Sequence, residues 1–234
     1  MVTFRRVAAV AVFVPLLAAC SPSMEEAVAQ HRPAVEKVFG QIRALEGPVA
    51  SLPLLDEDKV DTGGATIILD ADEGEEENAL YIFARDLGAP EAASYEGNGA
   101  IHVGEVELCG EALTEDDPTS LPAGTPLYLE DCARAEYIFV LRSHNERAAS
   151  VSNNESFETG LFEGDVLLFR LSDGAHLGGF RVQAENSDVV SVEVDSSGVP
   201  IDPTSRLNSD LQSMVFSSIF TGLRTHVPGA IEDA

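Results

Sequence analysis

From Ser23 onward the apolar positions fall first at helical and then at strand spacing. Val28, Val35, Val38, Phe39, Ile42 and Leu45 recur on one helical face. Ser23 and Glu26 stand at the spacing of a capping box, in which each side chain satisfies the other residue's backbone N–H. This predicts a helix from Ser23 to about Leu45, kinked or restarted at Pro33 and ended at Gly47-Pro48. Residues 48–64 read as loop. Ala65 to Leu69 and Ala79 to Arg85 are apolar runs around the acidic stretch Asp70 to Asn78, so they predict a hairpin with a long acidic turn. Ile101 to Val106 alternates and predicts a strand; Glu111 to Gly124 reads as loop, and Leu127 to Leu129 as a short apolar piece.

The second half is more sharply patterned. Ala135 to Arg142 is apolar on both faces, which marks a central strand. From Glu163 to Leu171, Val166 and Leu168 lie on one face and Leu167, Phe169 and Leu171 on the other. Ser172-Asp173-Gly174 is a turn signal, after which Phe180, Val182 and Ala184 point inward and Arg181 and Gln183 outward. Val190, Val192 and Val194 alternate with polar residues and predict a third antiparallel strand with a wet face. Asp202-Pro203 caps a terminal helix whose stripe runs through Leu207, Leu211, Val215, Ile219 and Leu223. The expected fold class is α+β: a single antiparallel sheet, an N-terminal amphipathic helix, and a C-terminal helix packed on one face. The N-terminal helix is expected to dock on the domain; a partner-binding or spacer role is the other reading.

Charge narrows the partners. The chain carries 40 Asp plus Glu against 14 Lys plus Arg, a net charge of −26. Without Arg5 and Arg6, in a segment expected to be removed, the balance is 12 against 40, or −28. Such a surface repels phosphate backbones, so nucleic acid is excluded as a partner. Apolar content of 44% is ordinary for a chain that buries a core.

Residues 1–19 read as a signal peptide. Arg5 and Arg6 precede an apolar run from Val7 to Leu17, which is too short to span a bilayer. Leu17-Ala18-Ala19-Cys20 resembles the lipobox of bacterial lipoproteins. That resemblance implies a diacylglycerol on the Cys20 thiol, cleavage before Cys20, and a membrane partner held through acyl chains. Each buried methylene of such chains contributes about 0.8 kcal/mol. Ser21 after the cysteine, where Asp would signal inner-membrane retention in enteric lipoproteins, implies the outer membrane. The expected organisation is residues 1–19 as leader, 20–47 as anchor and helical arm, and 48–234 as one α+β envelope domain. The two remaining cysteines, Cys109 and Cys132, are expected to pair in an oxidising compartment. Two free thiols or a redox pair form the rival reading, although no Cys-x-x-Cys is present.

Candidate chemistry is sparse. His31, His102, His144, His176 and His226 are scattered, with no metal-ligand spacing. There is no nucleophile elbow, phosphate-binding loop or dinucleotide fingerprint. No cofactor is expected. The acidic run from Asp70 to Glu77 fails the EF-hand pattern, with Gly74 at the fifth position, Glu75 at the sixth and Tyr81 at the twelfth. Gly178-Gly179 reads as a bulge or a close approach.

Tyr137 to Arg142, Phe157, Gly160, Phe162, Gly164 to Leu171, Leu177 to Phe180 and Ala184 to Ser187 carry a resemblance. That stretch resembles uncharacterised envelope lipoproteins of delta-proteobacteria, which implies a shared envelope domain and no assigned activity. The strand containing Tyr137-Ile138, the turn Leu171 to Gly174 and the terminal helix are also similar to the amino-terminal domain of TolB-type proteins, which implies binding to other envelope proteins. The expected function is therefore a non-enzymatic, lipid-anchored envelope protein with an envelope protein as partner. A hydrolase, or a domain binding a small ligand or a divalent cation, is the alternative. It would draw on Glu136, Asp165, His144 and His176, which flank predicted strands.

Overall fold

A computed structural model describes residues 22–69, 76–93, 103–153, 156–192 and 201–231. The signal peptide, Cys20, Ser21, His102 and the acidic residues 70–75 lie outside the described residues.

Helix α1 (Met24–Arg43) begins at the expected capping box: the Glu26 N–H donates to Ser23 Oγ at 3.2 Å, and the Ser23 N–H to Glu26 Oε2 at 2.8 Å. The helix continues through Pro33 without a break. Val28, Val35, Val38, Phe39 and Ile42 are buried, each contributing about 2 kcal/mol of apolar burial. Gly47-Pro48 does not end the helical segment. It lies in the first turn of a short helix α2 (Glu46–Ser51), where proline's missing N–H costs nothing.

Five strands form the main sheet, in the order β1 (Lys59–Val60), β7 (Ala175–Glu185), β6 (Leu161–Arg170), β3 (Tyr137–Arg147) and β2 (Ala79–Phe83). β1, β7, β6 and β3 pair antiparallel, whereas β2 pairs parallel to β3 from Ala79↔Tyr137 to Phe83↔Leu141. The sheet is therefore mixed, and the expected hairpin from Ala65 to Arg85 is absent. Residues 65–69 form no strand; the Leu69 N–H instead donates to the Ala230 carbonyl at 2.7 Å. A second, two-stranded sheet pairs β4 (Ser150–Asn153) with β5 (Ser156–Glu158).

A parallel pair needs a crossover. Helices α3 (Val103–Thr114) and α4 (Thr125–Arg134) lie within it. Ile101 to Val106 was expected as a strand, but Val103 onward is helical. Val106, Cys109 and Ala112 are buried at helical spacing. Gly110 lets α3 approach the 3₁₀ turn Pro90–Ala92; a Cβ there would meet the Glu91 carbonyl oxygen at 2.6 Å.

Helices cover both faces of the sheet. α1 to α4 pack with Leu80, Ile82, Ile138, Val140, Leu167 and Phe169 on one face. Helix α5 (Pro203–His226) packs with Tyr81, Phe139, Val166, Leu168 and Phe180 on the other. The Asp202 carboxylate caps α5 by accepting from the Ser205 N–H. In β7, Leu168↔Gly178 is followed by Phe169↔His176, so Leu177 is the extra residue of a bulge. Gly178 takes φ +106°, and a side chain there would collide with the Lys59 carbonyl of β1. Residues 189–192 form no strand; the remainder of the strand expected through Val190, Val192 and Val194 lies outside the described residues.

Candidate functional site

β3 is apolar on both faces until Arg142, where it leaves the shelter of the helices. Arg142 pairs with Asp165 of β6 in the strand register. The Asp165 carboxylate is buried, 1% exposed. Arg142 donates to it twice, Nε to Oδ1 at 3.0 Å and Nη2 to Oδ2 at 2.7 Å. Its other donors reach the carbonyls of Val49 (3.0 Å), Leu52 (2.8 Å) and Pro53 (2.9 Å). All five guanidinium N–H groups are thereby engaged. Leu52 and Pro53 follow the last turn of α2, so the cation also faces the C-terminal end of that helix.

His144 donates from Nε2 to Asp165 Oδ2 at 2.9 Å. A carboxylate paired with an arginine accepts, so this contact suits the histidine tautomer with its proton on Nε2. A histidine oriented by a buried carboxylate is half of a catalytic triad. The other half is missing among the described residues, because no hydroxyl or thiol bonds to His144. Asp165 is neutralised by Arg142, and Arg142 is fully engaged. The arrangement holds the segment 49–53 against the sheet.

His176 lies on β7 with its ring against Phe169, centroids 5.1 Å apart. Loss of water on that side lowers its pKa below the ordinary histidine value. The Gly178 backbone opposes this through a hydrogen bond, and the nearby charges of Arg142 and Asp165 pull in opposite directions. His176, Gly178, Leu55, Asp56 and Lys59 line a cleft of 630 Å³ beside the segment 52–57. Of the four residues in the hydrolase reading, Asp165 and His144 meet, and His176 lies within reach of their field. Glu136 is exposed before β3, where its carbonyl accepts from the Leu171 N–H at 2.8 Å, and it joins neither. His31 lies on α1, and His226 stacks on Phe180 at 5.6 Å. Among the described residues, no group of three His, Cys, Asp or Glu side chains could hold a metal ion.

Cys109 of α3 and Cys132 of α4 are joined, Sγ to Sγ 2.05 Å, and both are fully buried. Closing this 24-residue loop removes unfolded-state entropy equivalent to about 3.5 kcal/mol. No described helix is long and apolar enough to cross a membrane. Sequence reasoning missed the role of Arg142; the available signal was a lone cation ending an otherwise apolar strand. It also missed Asn186, whose buried amide accepts from the Gly160 N–H and donates to the Leu207 carbonyl. The chain matches no protein-family model, no curated protein and no solved structure.

Proposed function

We propose that the chain is a lipid-anchored protein of the bacterial cell envelope, held by acyl chains on Cys20 after removal of residues 1–19. On this reading it acts by binding an envelope protein and not by catalysis. The observation that carries the proposal is the buried Cys109–Cys132 disulfide, which persists in an oxidising compartment of the kind a lipobox leads to. The full engagement of Arg142 and Asp165 supports a binding role, since the most reactive-looking cluster is occupied in holding the fold. The resemblance to delta-proteobacterial envelope lipoproteins points the same way, and the residue after Cys20 favours the outer membrane.

Cells are grown with labelled palmitate and the protein is captured. Label is expected in the wild type and absent from Cys20→Ala. Label that persists in the variant, or never enters the wild type, overturns the proposal.

A further inference from the structure

A groove of 290 Å³ lies between α5 and the sheet, beside Phe83, the last residue of β2. Leu141, Phe162, Val215 and Phe216 form its apolar floor. Arg85 and Arg147 stand at its edge, with Glu146 beside them.

Those two arginines differ from five others among the described residues. Arg43, Arg134, Arg142, Arg170 and Arg181 each hold a carboxylate oxygen at 2.6 to 2.9 Å. Arg85 stacks on the Phe83 ring, 4.7 Å from its centroid, and its carboxylate contact, Asp86, is 3.7 Å away. Arg147 spends Nε and Nη2 on the Thr159 carbonyl and has no carboxylate within 4.0 Å among the described residues. A chain with 40 acids thus places two arginines on the edge of one apolar groove, balanced by Glu146 and, behind Arg85, Asp86. This edge lacks the excess negative charge of the chain as a whole, and Arg147 is held by no carboxylate among the described residues, so an anion is admitted here where the rest of the surface repels one.

We propose that this groove binds a single-chain anionic amphiphile, a medium-chain fatty carboxylate, with its tail over Phe162 and Val215 and its head between Arg85 and Arg147. The volume lies at the low end for small-molecule sites, about 300–1,000 Å³, which suits one acyl chain and excludes a two-chain lipid. A guanidinium suits a carboxylate because it presents paired donors in one plane. The proposal does not depend on acylation of Cys20, because every residue it uses belongs to the folded domain.

The test uses the full chain in isolated membranes and a decanoate bearing a photoreactive diazirine. Irradiation and mass spectrometry locate the label; unlabelled decanoate and decyltrimethylammonium compete. Label is expected within residues 141–148 or 208–216, displaced by decanoate and not by the cation. Arg147→Glu changes an exposed side chain, so folding is retained, and it should weaken decanoate competition about tenfold or more. Val215→Trp should fill the groove and abolish labelling there, while Arg85→Glu repeats the charge test at the other cation. Label spread over the surface, equal displacement by the cation, or unchanged competition in both charge variants overturns the proposal.

Discussion

On one face of the sheet, four helices close the core. A disulfide joins two of them, and Arg142 ties the segment after α2 to β3 and β6. On the other face a single helix among the described residues, α5, crosses the strands. It is held near its start by Asn186 and Asp210 and leaves a groove beside Val215 and Phe216. The two faces bury similar side chains and differ in their polar fastenings. The first uses a charge pair whose carboxylate is fully buried, which fixes one arrangement because losing Arg142 would leave that charge unpaired in the core. The second uses the buried Asn186 amide, whose hydrogen bonds to the Gly160 N–H and the Leu207 carbonyl are between neutral groups, with the partly exposed Asp210 carboxylate beside it. The difference teaches that the face with one helix leaves an apolar groove beside that helix, whereas the cleft of the four-helix face lies at its rim, beside the segment 52–57.

The comparison breaks most directly at Asp165. In Asp165→Ala, Arg142 keeps its three carbonyls and loses its counter-charge. Removing one partner of a buried pair costs about 4 kcal/mol, read as a fall in the urea midpoint with unchanged slope. On the other face, Asn186→Ala leaves the Gly160 N–H and the Leu207 carbonyl without their side-chain partner. The expected loss is about 2 kcal/mol by the same measurement. If Asn186→Ala is the costlier substitution, the closed face does not rest on its charge pair and the contrast between the two faces fails.

Both fastenings use residues from the stretch that carried the family resemblance: Asp165 and Arg142 in one, Gly160 and Asn186 in the other. The strands of this stretch were readable because burial on both faces leaves an unbroken apolar run, as in Tyr137 to Leu141. The terminal helices were readable because their caps, Ser23 with Glu26 and Asp202 with Pro203, are local chemistry. Helix α3 was not. Ile101 to Val106 alternates for one short stretch, and the helix buries small residues, Cys109, Gly110 and Ala112, whose period is weak. Its conformation is supported by the bond to Cys132 and the approach to Glu91, both distant in sequence. Misreading α3 hid the crossover, so Ala79 to Phe83 was paired with its near neighbour instead of with β3. Val190 and Val192 alternate like a strand, but β1 occupies the outer edge of β7 at Gly178 and Gly179. In the candidate site, Asp165 and His144 were visible as chemistry. Their meeting, and the part played by Arg142, depended on a strand register that spacing does not encode.

The smallest expected effect sharpens the comparison at the rim of the closed face. His176 rests on Phe169 with its pKa below the ordinary value, chiefly because that contact removes water. The folded state therefore favours the neutral ring. Below the unfolded pKa of about 6.5, the unfolded chain binds a proton that the folded chain resists, so stability rises with pH in that window. The contribution is fully present above about 6.5 and is lost as pH falls from there toward the lowered folded value. Because the ring is partly exposed, solvent screening keeps the effect below those at Asp165 and Asn186. His176→Gln removes the titration. Urea midpoints at about pH 7.5 and about pH 5 should then fall less on acidification than in the wild type. Equal falls would mean that His176 is as well hydrated in the folded protein as in the unfolded chain, and that the closed face ends short of this ring.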